Sequence, residues 1–306
     1  MLWILIVTGA YFFGALSNVG DKFLLGSKKI SSAPVYSFYI GIFGLGAFIL
    51  APFGLTFPNG DIMTLCLISG LLFTVGITFL YFAIERAEAS RVMPVFGAVI
   101  PIVSFILASI YGVENLTTLQ ILGVALLVFG GLLISFDLPL KLGKRKFFSG
   151  FYHACAAGFV IAVAYLIFKY IADSGEPFIT WYIWTRVGGL IGAIGLLLVP
   201  SWKKNIFNSF LSAKKNKKNA AKTGGIFIGN KLIGGISTLM LNYAIQLGSV
   251  TLINALVSLQ YVFVLAIVTI LSRTRANVFQ EKLLFWDWAQ KVAAIAIIAV
   301  GMFFVY

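Results

Sequence analysis

Residues 62–91 read IMTLCLISGLLFTVGITFLYFAIERAEASR. The 23 residues from 62 to 84 carry no charge, and the next seven carry four: Glu85, Arg86, Glu88 and Arg91. As a helix rising about 1.5 Å per residue, the uncharged run is long enough to cross the roughly 30 Å hydrocarbon core of a bilayer. The charged run then belongs at an interface. Inside the span, Thr74, Thr78, Tyr81 and Glu85 follow i, i+4, i+7 and i+11, so they share one stripe of the helix. Polar groups facing hydrocarbon have no hydrogen-bond partner, so such a stripe faces away from lipid.

The same pattern recurs along the chain. Runs of about 20 apolar residues lie near 2–20, 33–53, 62–84, 90–111, 118–136, 149–170, 178–199, 224–245, 250–271 and 286–306. Sixty per cent of the 306 residues are hydrophobic and 11% are charged, less than half the roughly 25% charge of soluble domains. The expected class is therefore all-α: a polytopic membrane protein of ten transmembrane helices. Met1 to Gly20 lacks the basic start of a cleaved signal peptide and reads as a retained first helix. Cys66 and Cys155 both fall in apolar stretches, which leaves neither a disulfide framework nor a thiolate metal site. No metal or cofactor is expected.

A net charge of +13 suggests nucleic acid only where basic residues cover a water-facing surface. Here they sit between spans. Alternate connections divide Lys and Arg nineteen to one, with Lys169 alone on the poorer side. By the positive-inside rule the rich side is cytoplasmic, and both termini lie outside a cytoplasmic membrane. The basic stretch at 201–223 reads as a cytoplasmic loop, its lysines a solvated anchor or a contact for anionic lipid. A small-molecule substrate and membrane lipids are the expected partners; the sequence leaves the oligomeric state open, and a monomer suffices.

A shift of 143 residues lays Pro34, Tyr39 and Gly46 on Pro177, Tyr182 and Gly189, and a shift of 161 lays Ala83 and Ile84 on Ala244 and Ile245. Spans one to five (residues 1–140) thus pair with spans six to ten (141–306). Five is odd, so the second repeat is inverted, a plan common among secondary transporters. Polar stripes pair in the same way. Span eight carries Lys231, Thr238 and Asn242; span nine carries Thr251, Asn254, Ser258 and Tyr261. Its partner, span four, carries Ser90, Pro94, Gly97, Pro101 and Ser104, and spans one and six contribute Thr8, Tyr11, Asn18, Lys22, Gly158 and Tyr165. Six stripes related by the repeat predict one central cavity. The expected substrate-binding residues are Asn18, Thr78, Tyr81, Tyr165, Lys231, Thr238, Asn242, Asn254, Ser258 and Tyr261.

Pro94 and Pro101 either fix a bend in span four or form a hinge with irregular backbone. Glu85 and Arg91, in the loop after span three, either form ion pairs gating the cytoplasmic mouth or make a solvated turn. Gly188 and Gly192 predict close helix packing. Lys231 and Arg186 lie near mid-bilayer, with Asp21 and Glu85 at helix ends and so at other depths. Lys231 either contacts an anionic substrate or snorkels toward the interface; Arg186 carries less weight because span seven has no stripe. His153, near the start of span six, reads as structural rather than proton-coupling.

The run Tyr-Phe-Ala-Ile-Glu-Arg-Ala-Glu-Ala-Ser-Arg at 81–91, Pro101, and Gly-Val-Glu-Asn-Leu-Thr-Thr-Leu-Gln-Ile-Leu-Gly at 112–123 followed by Gly130-Gly131 resemble the drug/metabolite transporter superfamily, in its ten-span EamA-type form. In the second half Val262 stands where the resemblance expects the proline. The resemblance implies carrier-type transport of small metabolites, frequently export, with cavity helices one, three, four, six, eight and nine. It places Glu114 in a structural loop. Facilitated exchange of anionic metabolites, such as sugar phosphates or nucleotide sugars, is the alternative. An enzyme would want a nucleophile–base pair, paired carboxylates or a metal cluster at depth, and a channel a selectivity filter; the sequence offers neither, so no catalytic residue is expected.

Overall fold

The structure is a computed structural model that describes residues 2–26, 32–87, 89–135, 149–215, 217–274 and 285–305. Their regular structure is entirely helical. In chain order the helices are α1 (Leu2–Gly26), α2 (Ala33–Gly44, prolonged by a 3-10 segment Leu45–Phe53), α3 (Gly60–Arg86), α4 (Ala89–Ile110), α5 (Thr118–Ser135) and α6 (Phe151–Asp173). They continue with α7 (Phe178–Gly195), α8 (Pro200–Lys215), α9 (Lys217–Leu247), α10 (Val250–Ala255), α11 (Val257–Thr274) and α12 (Phe285–Val305).

Among the described residues, eight stretches are long and apolar enough to cross a membrane: Leu2–Asp21, Ala33–Phe53, Gly60–Arg86, Val92–Ile110, Phe151–Asp173, Phe178–Leu198, Gly224–Leu247 and Val250–Leu271. Two more apolar helices, Thr118–Ile134 and Ala289–Val305, are shorter. The outside suits hydrocarbon: Ile49 is 79% exposed, Leu198 84% and Phe303 75%, a surface that soluble monomers rarely present.

Helix starts show how local chemistry sets the boundaries. The first N–H groups of a helix lack internal partners and carry partial positive charge. Asn59 Oδ1 accepts from Ile62 N (2.9 Å) at the start of α3, and Glu85 accepts from Ala33 N at the start of α2. Glu114 does the same for α10: it accepts from Ser249 Oγ (2.9 Å), Val250 N and Thr251 N (3.3 Å). Glu114→Ala is therefore expected to lower stability by about 1–2 kcal/mol, read as the unfolding midpoint in detergent. A variant as stable as the parent would deprive the cap of any weight.

Two expectations need correction. The basic stretch 201–223 is not a loop; α8 and the first turns of α9 occupy its described residues. Trp202, Ile206 and Phe210 recur at four-residue spacing, an apolar stripe hidden among lysines. Ile206 is buried with Val35 and Phe38, the Phe210 ring lies against Phe38 and Tyr39, and Ser209 Oγ is 3.0 Å from the Tyr39 hydroxyl. Of the two readings of Pro94 and Pro101, the one with irregular backbone in span four does not hold. Helix α4 runs through Pro94 and Pro101 without interruption, whereas its expected partner, span nine, breaks at Leu256 into α10 and α11. The repeat boundary at 140/141 lies outside the described residues.

In the packing, α3 lies against α6 and α7, α1 against α9 and α11, α4 against α6 and α10, and α5 against α12. The α3–α7 contact depends on glycine. A Cβ on Gly70 would sit 1.8 Å from the Thr185 carbonyl oxygen, and one on Gly188 would sit 2.3 Å from that of Leu67. The two backbones touch, which only residues without side chains permit.

Candidate functional site

The polar residues predicted to line a cavity fall into three neighbourhoods. The first joins α1, α2, α3 and α9. Asp21, near the end of α1, accepts from Lys231 Nζ through both carboxylate oxygens (2.9 and 3.0 Å). It also accepts from Asn230 Nδ2 (2.6 Å) and from the Tyr36 hydroxyl. The Lys231 ammonium sits 4.6 Å from the Tyr36 ring centroid and 5.6 Å from that of Phe227. Tyr81 packs edge-on against Tyr36 at 4.4 Å, and Asn18 stands half-buried three residues before Asp21.

This corrects the reading of Lys231 as a cation without a carboxylate at its depth. Its four-carbon stem carries the ammonium to Asp21, so the charge is matched inside the protein. The side chains of Lys231 and Asp21 are only 15% and 17% exposed. Their attraction is little screened by water, and each is needed to compensate the other. Tyr36 and Asn230 were missed at the level of sequence, and Asp21 was set aside because it stands at a helix end. The signal available was Asp21 itself, an acid three residues beyond Asn18 on a striped helix.

The second neighbourhood joins α4 to α10 and α11. Asn254 Nδ2 donates to Ser104 Oγ (3.0 Å), and the Tyr261 hydroxyl donates to the Met93 carbonyl (2.8 Å). Tyr261 reaches that carbonyl because residue 97 is glycine; a Cβ there would lie 1.8 Å from its hydroxyl. Ser258 donates to Ala255 O (3.3 Å) on its own helix. Pro94, Ser258 and Tyr261 border a small cavity of about 10 Å³. Asn254, Ser258 and Tyr261 thus spend their donors within the helix bundle. Pro101 lies in the same unbroken α4.

The third neighbourhood was undervalued in the sequence. Arg186, on α7, lies with its guanidinium carbon 4.6 Å from the Tyr182 ring centroid and 5.7 Å from that of Phe73. Its Nε and Nη2 are buried and have no hydrogen-bond partner among the described residues. Phe73 in turn contacts the Tyr165 ring at 6.1 Å. A cavity of about 30 Å³ opens beside Arg186, bordered by Gly44, Phe73, Thr74, Phe168 and Thr185. Span seven carries no stripe, yet α7 faces α3 and brings its arginine beside the predicted Tyr165.

The remaining predicted residues are quickly placed. Thr78 and Thr238 turn their hydroxyls back onto Thr74 O and Gly234 O, each at 2.8 Å. Asn242 is fully buried; its Nδ2 donates to Thr238 O (2.8 Å), while its Oδ1 has no partner among the described residues. Gln246 Oε1, one turn further along α9, and Thr251 Oγ1 on α10 are in the same position. Glu85 caps α2 from an exposed position. The Arg91 side chain lies outside the described residues. His153 rests against Phe79 and Phe82.

No protein-family model matches the sequence, and no curated protein does. Among solved structures 27 chains match. One crystal structure superposes on 99% of this chain and 96% of its own, with a TM-score of 0.63 and 15% identity. At that identity the likeness concerns the fold, which the two chains share from end to end.

Proposed function

We propose that this chain is a secondary carrier that moves a small metabolite across a cytoplasmic membrane by alternating access, in the direction of export. In this reading ten spans form two inverted five-helix repeats, as in the EamA-type transporters that the sequence resembles. The packing supports the repeat: α3 meets α6 as α1 meets α9, α4 meets α6 as α1 meets α11, and α5 meets α12 across the pseudo-axis. A symmetric operator requires such reciprocal pairs.

The observation that carries the reading is the Asp21–Lys231 ion pair. It ties α1 of one half to α9 of the other, and a pair of opposite charges is a contact that can be made and broken between two discrete arrangements. With both termini outside, it closes the cytoplasmic side. Buried polar atoms on α7, α9 and α10 without partners among the described residues (Arg186, Asn242, Gln246, Thr251) are groups for which a solute supplies partners, since buried polar groups are ordinarily satisfied.

Purified protein in liposomes, screened with radiolabelled amino acids, organic acids and sugar phosphates with and without a pH gradient, tests the proposal. Saturable movement of at least one solute is expected. Folded protein that moves none of them under any condition would refute it.

A further inference from the structure

We infer that Arg186 anchors the oxyanion of a small organic acid or phosphate monoester in the cavity between α2, α3, α6 and α7. The inference deepens the carrier reading and rests on it for its physiological meaning, although the site itself can be tested without transport.

Charge comes first. Arginine does not lose its proton in proteins, so burial cannot neutralise it as it can a lysine. Of the cations at depth, Lys231 is matched by Asp21 (2.9 Å). Lys169, nearer a helix end, is matched by Asp173 (2.8 Å). Arg186 has no carboxylate among the described residues, and two of its nitrogens are buried without an acceptor. An unsatisfied buried charged donor costs more than a neutral one, so the position is explained by an anion that arrives from outside the chain.

Geometry gives the anion its form. Tyr182 and Phe73 lie within 4.6 and 5.7 Å of the guanidinium carbon. Aromatic neighbours take the place of water around an arginine while supplying no acceptor for its in-plane N–H fork. That fork matches a carboxylate or phosphate in bidentate fashion. The neighbouring threonines do not compete for the anion as donors. Thr74 donates to Gly189 O (3.0 Å) and Thr185 to Tyr182 O (2.7 Å), so their hydroxyl protons are committed to backbone. Their oxygens remain as acceptors for hydroxyl or amine groups of the same ligand.

Size and depth narrow the class. The free space beside Arg186 is about 30 Å³, well below the roughly 300–1,000 Å³ typical of ligand sites, so only a compact ligand is accommodated, and the surrounding helices must part to admit it. Arg186 is eight residues into α7, which begins at Phe178; at about 1.5 Å per residue that is roughly 12 Å of depth. A free metabolite can be carried there, whereas a phospholipid headgroup stays near the interface.

The test measures thermal unfolding of the full chain in uncharged phosphatidylcholine nanodiscs. Succinate, glutamate and glucose 6-phosphate are titrated beside succinamide and glucose. At least one anion is expected to raise the midpoint saturably, while the uncharged compounds do not. Arg186→Gln is expected to weaken that response roughly ten- to hundredfold, and Arg186→Lys, which keeps the charge but not the fork, to fall between. Should Arg186→Gln fail to fold, the Arg186→Lys titration decides: affinity equal to the parent's would overturn the inference. So would failure of all three anions to shift the parent, or an Arg186→Gln response equal to the parent's. Stabilisation seen only when an anionic phospholipid is added to the disc would also overturn it, by making the occupant a lipid. Binding without any transport in liposomes would leave the site standing and refute the carrier reading instead.

Discussion

Asp21→Ala is expected to lower stability by about 3 kcal/mol, whereas the double variant Asp21→Asn/Lys231→Met recovers most of that loss. Removing the carboxylate alone leaves the Lys231 ammonium facing Tyr36 and Phe227, and it strips the acceptor from Asn230 and the Tyr36 hydroxyl. Removing both charges leaves a shape of similar volume with no ion to compensate. A double-mutant cycle of Asp21→Asn, Lys231→Met and their combination, read by chemical unfolding in mixed micelles, isolates the pair, and a coupling well above the 0.5 kcal/mol or so of independent sites is expected. Single variants that each cost less than about 1 kcal/mol would mean the pair behaves as a surface salt bridge, of little structural weight. On the proposed carrier reading the pair closes the cytoplasmic side, so the neutral double variant is expected to leak its solute in liposomes, in contrast to saturable transport by the parent.

Gly70→Ala is expected to cost about 3 kcal/mol or more, the upper end of overpacking penalties, because its methyl would fall 1.8 Å from a backbone oxygen. A flexible side chain can turn aside, but Thr185 O cannot, so α3 and α7 must separate. Gly188, held against Leu67 by the same seam, would lose its fit as well. Gly46→Ala serves as the control: an added Cβ there meets nothing within 4 Å, and stability within about 0.5 kcal/mol of the parent is expected. A Gly70→Ala protein with an unchanged unfolding midpoint would contradict the backbone contact.

Eight of the membrane-length stretches among the described residues were legible because each satisfies one simple demand, the length of a hydrocarbon layer. Lateral proximity was not. Asp21 and Lys231 looked mismatched in depth when helices were treated as parallel rods with side chains ending at Cβ. Lysine reach and the packing of α1 against α9 decide that pairing, and a linear sequence does not state which helices meet. Arg186 was undervalued for a related reason. Periodicity within its own helix says nothing about which neighbour that helix meets, and here the meeting is set by Gly70 and Gly188. The α8 stripe of Trp202, Ile206 and Phe210 was present in the sequence but outweighed by its lysines. Asn254 and Tyr261 illustrate the converse, polar residues correctly turned from lipid yet spent on Ser104 and the Met93 carbonyl.

The glycine contacts also divide the molecule mechanically. Between α3 and α7 the would-be side chains collide with carbonyl oxygens, whereas between α1 and α9 they meet the tips of side chains: Met240 Cε at Gly9, Ser237 Oγ at Gly14 and Asn230 Oδ1 at Gly20. Backbone against backbone has one register, and any slip costs the whole seam. Side-chain tips can change rotamer and let two helices slide by an ångström or two, the small shear that packed helices tolerate. The fold therefore has a stiff seam beside Arg186 and a compliant one beside Lys231. A moving part would keep its anvil at the first and its bearing at the second.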